Sequence, residues 1–522
     1  MNVRRNLAFS LMFGLAAAFP AARASAQPAP LASFAQGTFV GKTDGSVRTF
    51  FGVPFAEAPI GQLRWRPPIP AFFGTGERDA TRFGNDCMQP PSVLTRMSKA
   101  PGTSEDCLTL NIWAPLEPQN KRLPVMVWIY GGSFLGGSAS AFDGSALARQ
   151  GVIVVAANYR TGLFGFLAHP LLTQESKDRT SGDYGLLDQI AALQWVRQNI
   201  ARIGGDPKSV TLFGESSGAS SVSLLITSPL TKGLFSKAIL ESPGAMRPLP
   251  TLKDAEAAGS VIGSDLAAMR AIPAKDLLAL TMRLLPAERS LTRPRVIGPI
   301  VDGRVVPTEE RLAYGSDAVD HVPIIIGGNA DEGRLFVAPW PIKTVAQFQT
   351  FVGDNFGANA AQILRLYPVS QDSDVPARLS ELFADTQFNL GSEGVANAMA
   401  SLGLPVYRYR FTHTVRGLPP THGAEVPFVF GFVSAPEVST HSGPSSSASS
   451  DQRISDAMMS AWVQFARSGD PSGPGLAWPR YSPTSNAYLE FGEEPKAKIL
   501  PPQTRLQYLN CLRAGPEPCS IP

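Results

Sequence analysis

The feature that most constrains this chain is the stretch Val210-Thr211-Leu212-Phe213-Gly214-Glu215-Ser216-Ser217-Gly218-Ala219. An apolar, β-prone run ends abruptly in Gly-x-Ser-x-Gly, and the small-residue segment that follows, to Thr227, has helical character. A strand that turns directly into a helix holds its central residue in a strained backbone with the side chain projecting. Glycines at 214 and 218 leave the room such a turn needs. Ser216 is thereby a candidate nucleophile. A serine hydroxyl is a weak nucleophile at neutral pH, so the rest of the chain has to supply a base, an acid and donors for an oxyanion.

Histidine is the natural base, and the chain has 5 of them. In a strand–turn–helix site of this type the chain order is Ser, acid, His, which removes His169. His321 precedes an apolar run, His441 lies in a serine-rich tract, and His413 ends a strand whose alternation packing already explains. His422 remains, in the loop Pro419-Pro420-Thr421-His422-Gly423-Ala424-Glu425. Catalytic groups in open α/β sheets sit on loops of this kind. Loop histidines are more often merely solvated, so it is elimination that selects this one. The acid is expected in Gly327-Gly328-Asn329-Ala330-Asp331-Glu332-Gly333, a turn after the apolar run 322–326. Position alone does not choose between Asp331 and Glu332. The glycine-rich loop 131–137 follows the apolar run 123–130, and its backbone N–H groups suit an oxyanion. It has neither GxxxxGK[ST] nor GxGxxG spacing, which argues against a nucleotide site.

Apolar runs at 108–113, 123–130, 151–157, 210–215, 237–241, 322–326 and 406–411 read as strands, several of them buried on both faces. Residues 183–203 and 455–468 carry helical periodicity. The alternation predicts an α/β fold, a mostly parallel central sheet with helices on both faces. Residues 37–55 read as short antiparallel strands, 250–320 and 335–400 as a helical cap, and the serine-rich 434–450 as a surface loop. With no repeat and no linker, 27–522 reads as a single domain.

At the amino terminus, Arg4 and Arg5 precede a short apolar run, and Ala24-Ser25-Ala26 supplies small residues for cleavage. This predicts a signal peptide over 1–26, cut after Ala26, and a secreted or periplasmic protein. No later stretch is long and apolar enough to span a bilayer. Net charge is +3, from 46 basic and 43 acidic residues, too balanced to suggest a nucleic-acid partner. Export places the 4 cysteines in an oxidising compartment. Proximity favours pairing Cys87 with Cys107 and Cys511 with Cys519. The first bridge would close a loop of about 20 residues, worth roughly 3 kcal/mol by chain entropy. Neither pair has CxxC spacing or a nearby histidine, so no metal site is expected.

Together with Phe51-Gly52-Val53-Pro54-Phe55-Ala56, Leu63-Arg64-Trp65-Arg66-Pro67-Pro68, Ser104-Glu105-Asp106-Cys107 and Asn158-Tyr159-Arg160, these stretches carry a resemblance. So do Gly185-Leu186-Leu187-Asp188-Gln189 and Gly204-Gly205-Asp206-Pro207. Over nearly the whole mature chain, the sequence resembles the type-B carboxylesterase/cholinesterase family of α/β-hydrolases. The resemblance implies an α/β-hydrolase fold with helical cap insertions. It also implies a serine hydrolase, here with an expected export signal, that cleaves small-molecule carboxylic esters through an acyl-enzyme, without a cofactor. Ser216 is then the nucleophile, His422 the base and Glu332, rather than Asp331, the acid. The amides of Gly132, Ser133 and Ser217 form the oxyanion hole.

By the same likeness the Cys87–Cys107 bridge is supported, and Arg64 with Glu105 and Arg160 with Asp188 are buried structural ion pairs. Breaking either pair is expected to cost about 3–5 kcal/mol. Some family members are non-catalytic adhesion proteins that lose the nucleophile; here all three positions are filled. Two departures stand out. Ser133 occupies the place of a third glycine and is expected to narrow the range of accepted esters. No tryptophan lies between Met88 and Asp106, so a cation–π site for choline is not expected. Acyl and alcohol preference and oligomeric state leave no signal in the sequence.

Overall fold

A computed structural model of the chain describes residues 29–116, 122–316, 318–415, 417–433, 446–514 and 519. The expected signal peptide at 1–26 lies outside these residues, as does 434–445 with His441. The strand Gly205–Glu215 sits in the middle of an eleven-stranded sheet. On one side it pairs in parallel with Lys237–Glu241, followed outward by Ile324–Asn329, Val406–Phe411 and Ala487–Phe491, all parallel. On the other it pairs with Leu123–Ile129 and then Ile153–Ala157, also parallel. Antiparallel strands close both edges: Pro495–Ile499 on the first, and Thr109–Pro115, Val47–Pro54 and Lys42–Asp44 on the second.

Residues 125–129 and 153–157 are buried along their length, because helices cover both faces of the parallel part. Tyr184–Asn199 buries Leu186, Ile190, Leu193 and Val196, and Ser217–Thr227 is buried throughout. In register, Gly214 lies beside Ile129, Glu215 beside Glu241, Glu241 beside Gly327, and Asn329 beside Phe411. The loops that follow these strands therefore leave the sheet along one edge. That edge carries the candidate site.

A second apolar core gathers around Trp340, Phe348, Phe383 and Leu382, built by the helices Val345–Phe356 and Val375–Ala384 and closed by Leu506 and Leu509 of Thr504–Ala514. Most of 335–400 is helical. The expected helical cap over 250–320 is only partly so. Helices cover Leu252–Gly259, Leu266–Ala271, Ala274–Leu284 and Glu310–Tyr314, but 285–309 is irregular. Pro286, Pro294, Pro299 and Pro307 each remove an N–H donor and break any helical ladder there. The late helix begins earlier than its periodicity predicts, running Ser446–Ser468.

Two disulfides close, Cys87–Cys107 with Cα atoms 5.0 Å apart and Cys511–Cys519 with 5.8 Å. Arg64 donates to Glu105 at 2.7 and 2.5 Å, and Arg160 to Asp188 at 2.8 and 2.7 Å, both in bidentate geometry. Among the described residues no helix is long and apolar enough to cross a membrane.

Candidate active site

Ser216 stands between the strand Gly205–Glu215 and the helix Ser217–Thr227 with φ 57° and ψ −121°. Left-handed backbone is costly for a non-glycine residue and persists only where the surroundings enforce it. Here the Ser216 amide donates to Glu241 O at 2.9 Å, and its carbonyl accepts from Ser220 N at 2.8 Å. Helix and neighbouring strand approach so closely that a Cβ on Gly218 would lie 2.0 Å from Ile129 O. Glycine at 218 is what lets the turn close.

Across from this turn, His422 Nδ1 and Glu332 Oε2 form a short hydrogen bond. Glu332 is fixed in turn: its Oε1 accepts from Ser242 Oγ at 2.6 Å and from Asn329 N at 2.6 Å. Asp331, the adjacent carboxylate, points the other way, accepting from Ser380 Oγ at 2.9 Å and pairing with Arg334. Phe388 and Phe336 pack on the imidazole with ring centres 4.4 and 5.0 Å away. Nε2, the nitrogen turned from Glu332, has no hydrogen-bond partner, although Glu215 Oε1 stands 3.0 Å from it. Among the described residues no hydrogen bond joins Ser216 to His422.

The imidazole thus sits in a nest of carboxylates. Burial alone would raise Glu332, but the charge of His422 and the donors around it outweigh that and hold its carboxyl below the ordinary range. Burial pushes Glu215 up to about 8 against the pull of His422. For His422 burial disfavours the charged form, yet Glu215, Glu332 and Glu425 together raise it to about 9. Glu332 is therefore the member of the nest whose ionised form is most favoured.

The loop after Leu123–Ile129 curls over the same turn. Its backbone is unusual for side-chain-bearing residues, with φ 61° at Ser133 and 64° at Phe134 after 126° at Gly132. A Cβ on Gly131 would lie 2.8 Å from that of Ser216, so loop and turn are in close contact. Among the described residues the N–H groups of Gly132 and Ser133 donate to no protein acceptor. Ser217 opens its helix, where N–H groups have no intrahelical partner.

The sequence profile of the Carboxylesterase family matches residues 29–509. The chain belongs to that family. The fumonisin B1 esterase of Sphingopyxis macrogoltabida is 45% identical over 495 residues, covering 94% of this chain and 91% of that protein. The para-nitrobenzyl esterase of Bacillus subtilis (strain 168) is 36% identical over 476 residues, 88% of this chain and 94% of that one. A solved PNB esterase superposes with a TM-score of 0.77 at 33% identity, covering 90% of this chain and 97% of its own. The fold is that of the α/β-hydrolases, and the protein is a carboxylic ester hydrolase.

In this esterase the sequence brought forward the serine, the histidine and the glutamate, but not their surroundings. Glu215 and Glu425 lie inside the quoted stretches Gly-Glu-Ser-Ser-Gly and His-Gly-Ala-Glu, one directly before Ser216 and the other three residues after His422, and that proximity was the available signal. Ser242 and Asn329 had none, since their role depends on neighbouring strands placing them against Glu332. His169 and His413 take other work: His169 caps Pro170–Glu175 through Leu171 N, and His413 Nε2 lies 2.6 Å from Asp451 Oδ1.

Proposed function

We propose that this esterase works through Ser216, His422 and Glu332. Ser216 Oγ attacks the ester carbonyl while His422 Nε2 takes its proton, and the amides of Gly132, Ser133 and Ser217 receive the developing oxyanion. Collapse expels the alcohol, which leaves with the proton from His422, and the acyl group remains on Ser216. Water then repeats the sequence: its proton passes to His422, its oxygen bonds the acyl carbon, and Ser216 regains its hydrogen as the acid departs. Glu332 orients the imidazole and stabilises its charged form. The observation that carries this reading is the Glu332–His422 bond, which leaves Nε2 without a partner beside the strained turn at Ser216. Bonds between base and nucleophile are often long until substrate is seated.

The chain from residue 27 is taken as one catalytic unit, exported after cleavage at Ala26, and the two disulfides support an oxidising destination. Small esters are the substrates to assay, fumonisin B1 and para-nitrobenzyl esters among them because of the relatives' names. Replacing Ser216→Ala should lower kcat by about 10⁴-fold or more with an unchanged circular dichroism spectrum. Retention of near-full activity would discard the assignment.

A further inference from the structure

The irregular segment 285–309 carries two arginines onto the oxyanion loop. Arg289 Nη2 donates to Ser133 Oγ at 3.4 Å, and Arg295 Nη1 to Ser133 O at 3.3 Å. Their remaining support is aromatic: Arg289 lies 5.8 Å from the Phe336 ring centre, and Arg295 5.8 Å from that of Phe134. A third guanidinium, Arg247, stands behind them near the helix of the candidate nucleophile. A Cβ on Gly244 would lie 3.1 Å from Arg247 Nη1 and 3.1 Å from Ser220 Oγ, and that hydroxyl donates to Ser216 O at 3.0 Å.

Among the described residues none of the three forms an ion pair. Nη1 of Arg247 and Nη1 of Arg289 are buried without any hydrogen-bond partner. Glu288 lines the same cavity but does not pair with them, and Glu310, which acts on Arg247, is taken up by Ser223 Oγ and Met246 N. Burial first, then mutual repulsion, pushes Arg247 and Arg295 well below the ordinary arginine range, and burial brings Arg289 to about 10. Cations so placed are costly in an empty pocket and fitted to one that receives an anion. Arg289, Arg295, Ser133 and Phe336 line a cavity of about 470 Å³. It touches the oxyanion loop through Ser133 and the His422 ring through Phe336.

We propose that this cavity binds a free carboxylate, and that the preferred substrates are monoesters of dicarboxylic or polycarboxylic acids. Planar guanidinium groups match carboxylate in bidentate geometry. Because Arg289 and Arg295 contact Ser133 itself, the anion sits a few bonds from the scissile carbonyl, as the second carboxylate of a short diacid does. The reaction stays the hydrolysis proposed above, on which this inference rests: monoester and water give diacid and alcohol.

The test compares the 4-nitrophenyl monoester of glutaric acid with its neutral methyl ester, following nitrophenol release by the full-length enzyme. The expected result is a kcat/KM about tenfold or more higher for the anionic ester, the scale of a charge-assisted hydrogen bond. That ratio should fall about tenfold in Arg289→Gln or Arg295→Gln and be partly restored by Arg289→Lys. Free glutarate should inhibit hydrolysis of the neutral ester competitively in the unaltered enzyme, a measurement that stands even if the variants do not fold. Cleavage of the neutral ester with no preference for the anionic one and no glutarate inhibition would overturn this inference alone. Failure to cleave either ester would overturn it together with the serine-hydrolase reading.

Discussion

Two charged regions meet beside Ser216, and they are built in opposite ways. Beneath His422, the carboxylates find donors inside the protein. Glu332 accepts from Ser242 and Asn329, Glu425 from Asn329 at 2.5 Å, and Glu241 from Trp462 at 2.7 Å. Beside the oxyanion loop, Arg289 and Arg295 have aromatic faces and the neutral oxygens of Ser133, Arg247 donates to Gln387 Oε1, and among the described residues none of the three forms an ion pair. Buried polar groups are ordinarily satisfied, so the first region, where most carboxylates have donors, reads as part of the machinery and the second, with buried guanidinium nitrogens left over, as a receptor. On the proposed mechanism and the proposed carboxylate pocket, the difference separates residues that serve the chemistry from residues that choose the substrate.

The comparison predicts that disturbing the acidic side changes rate for every ester. The largest effect is expected from Glu332→Gln, which leaves the shape but removes the charge facing His422. kcat should fall by about 10³–10⁴-fold on neutral and anionic esters alike, read by steady-state kinetics beside a thermal melt. An equal or larger loss in Glu425→Gln with Glu332→Gln nearly active would assign the roles differently and break the account of the acidic side.

A smaller and more diagnostic effect is expected at Glu215. A base must be neutral to take a proton, so with His422 as the proposed base, activity is lost as pH falls through its pKa. Burial opposes the charged imidazole, but Glu215 leads the carboxylates that raise it to about 9. Replacing Glu215→Gln withdraws part of that support, and the acid limb of kcat/KM should move to lower pH by about 1 unit. A shift to higher pH would contradict the arrangement. The substrate ratio between anionic and neutral esters should stay as it is, since Glu215 belongs to the other region.

What the sequence disclosed follows the same division. Ser216 was legible because a sharp strand-to-helix turn demands glycine at 214 and 218, a constraint written within five residues. His422 emerged by elimination among few histidines. Asp331 and Glu332 could not be separated from their own residues, since neighbours in a turn face opposite sides and only the fold decides which faces inward; here Asp331 goes to Ser380 and Glu332 to His422. The arginines were invisible for a different reason. Segment 285–309 reads as part of a helical cap, its prolines make it irregular, and Arg289 meets a residue 156 positions earlier. Contacts over such distances leave no local pattern.

The most direct test of the central claim is to trap the acyl-enzyme mimic. Treatment of the full-length enzyme with a fluorophosphonate, followed by peptide mapping, should find the phosphonyl group on Ser216 with matching loss of activity. In His422→Ala the labelling rate should fall by orders of magnitude. An active enzyme labelled on another residue, or labelled at Ser216 as fast without His422 as with it, would contradict the account.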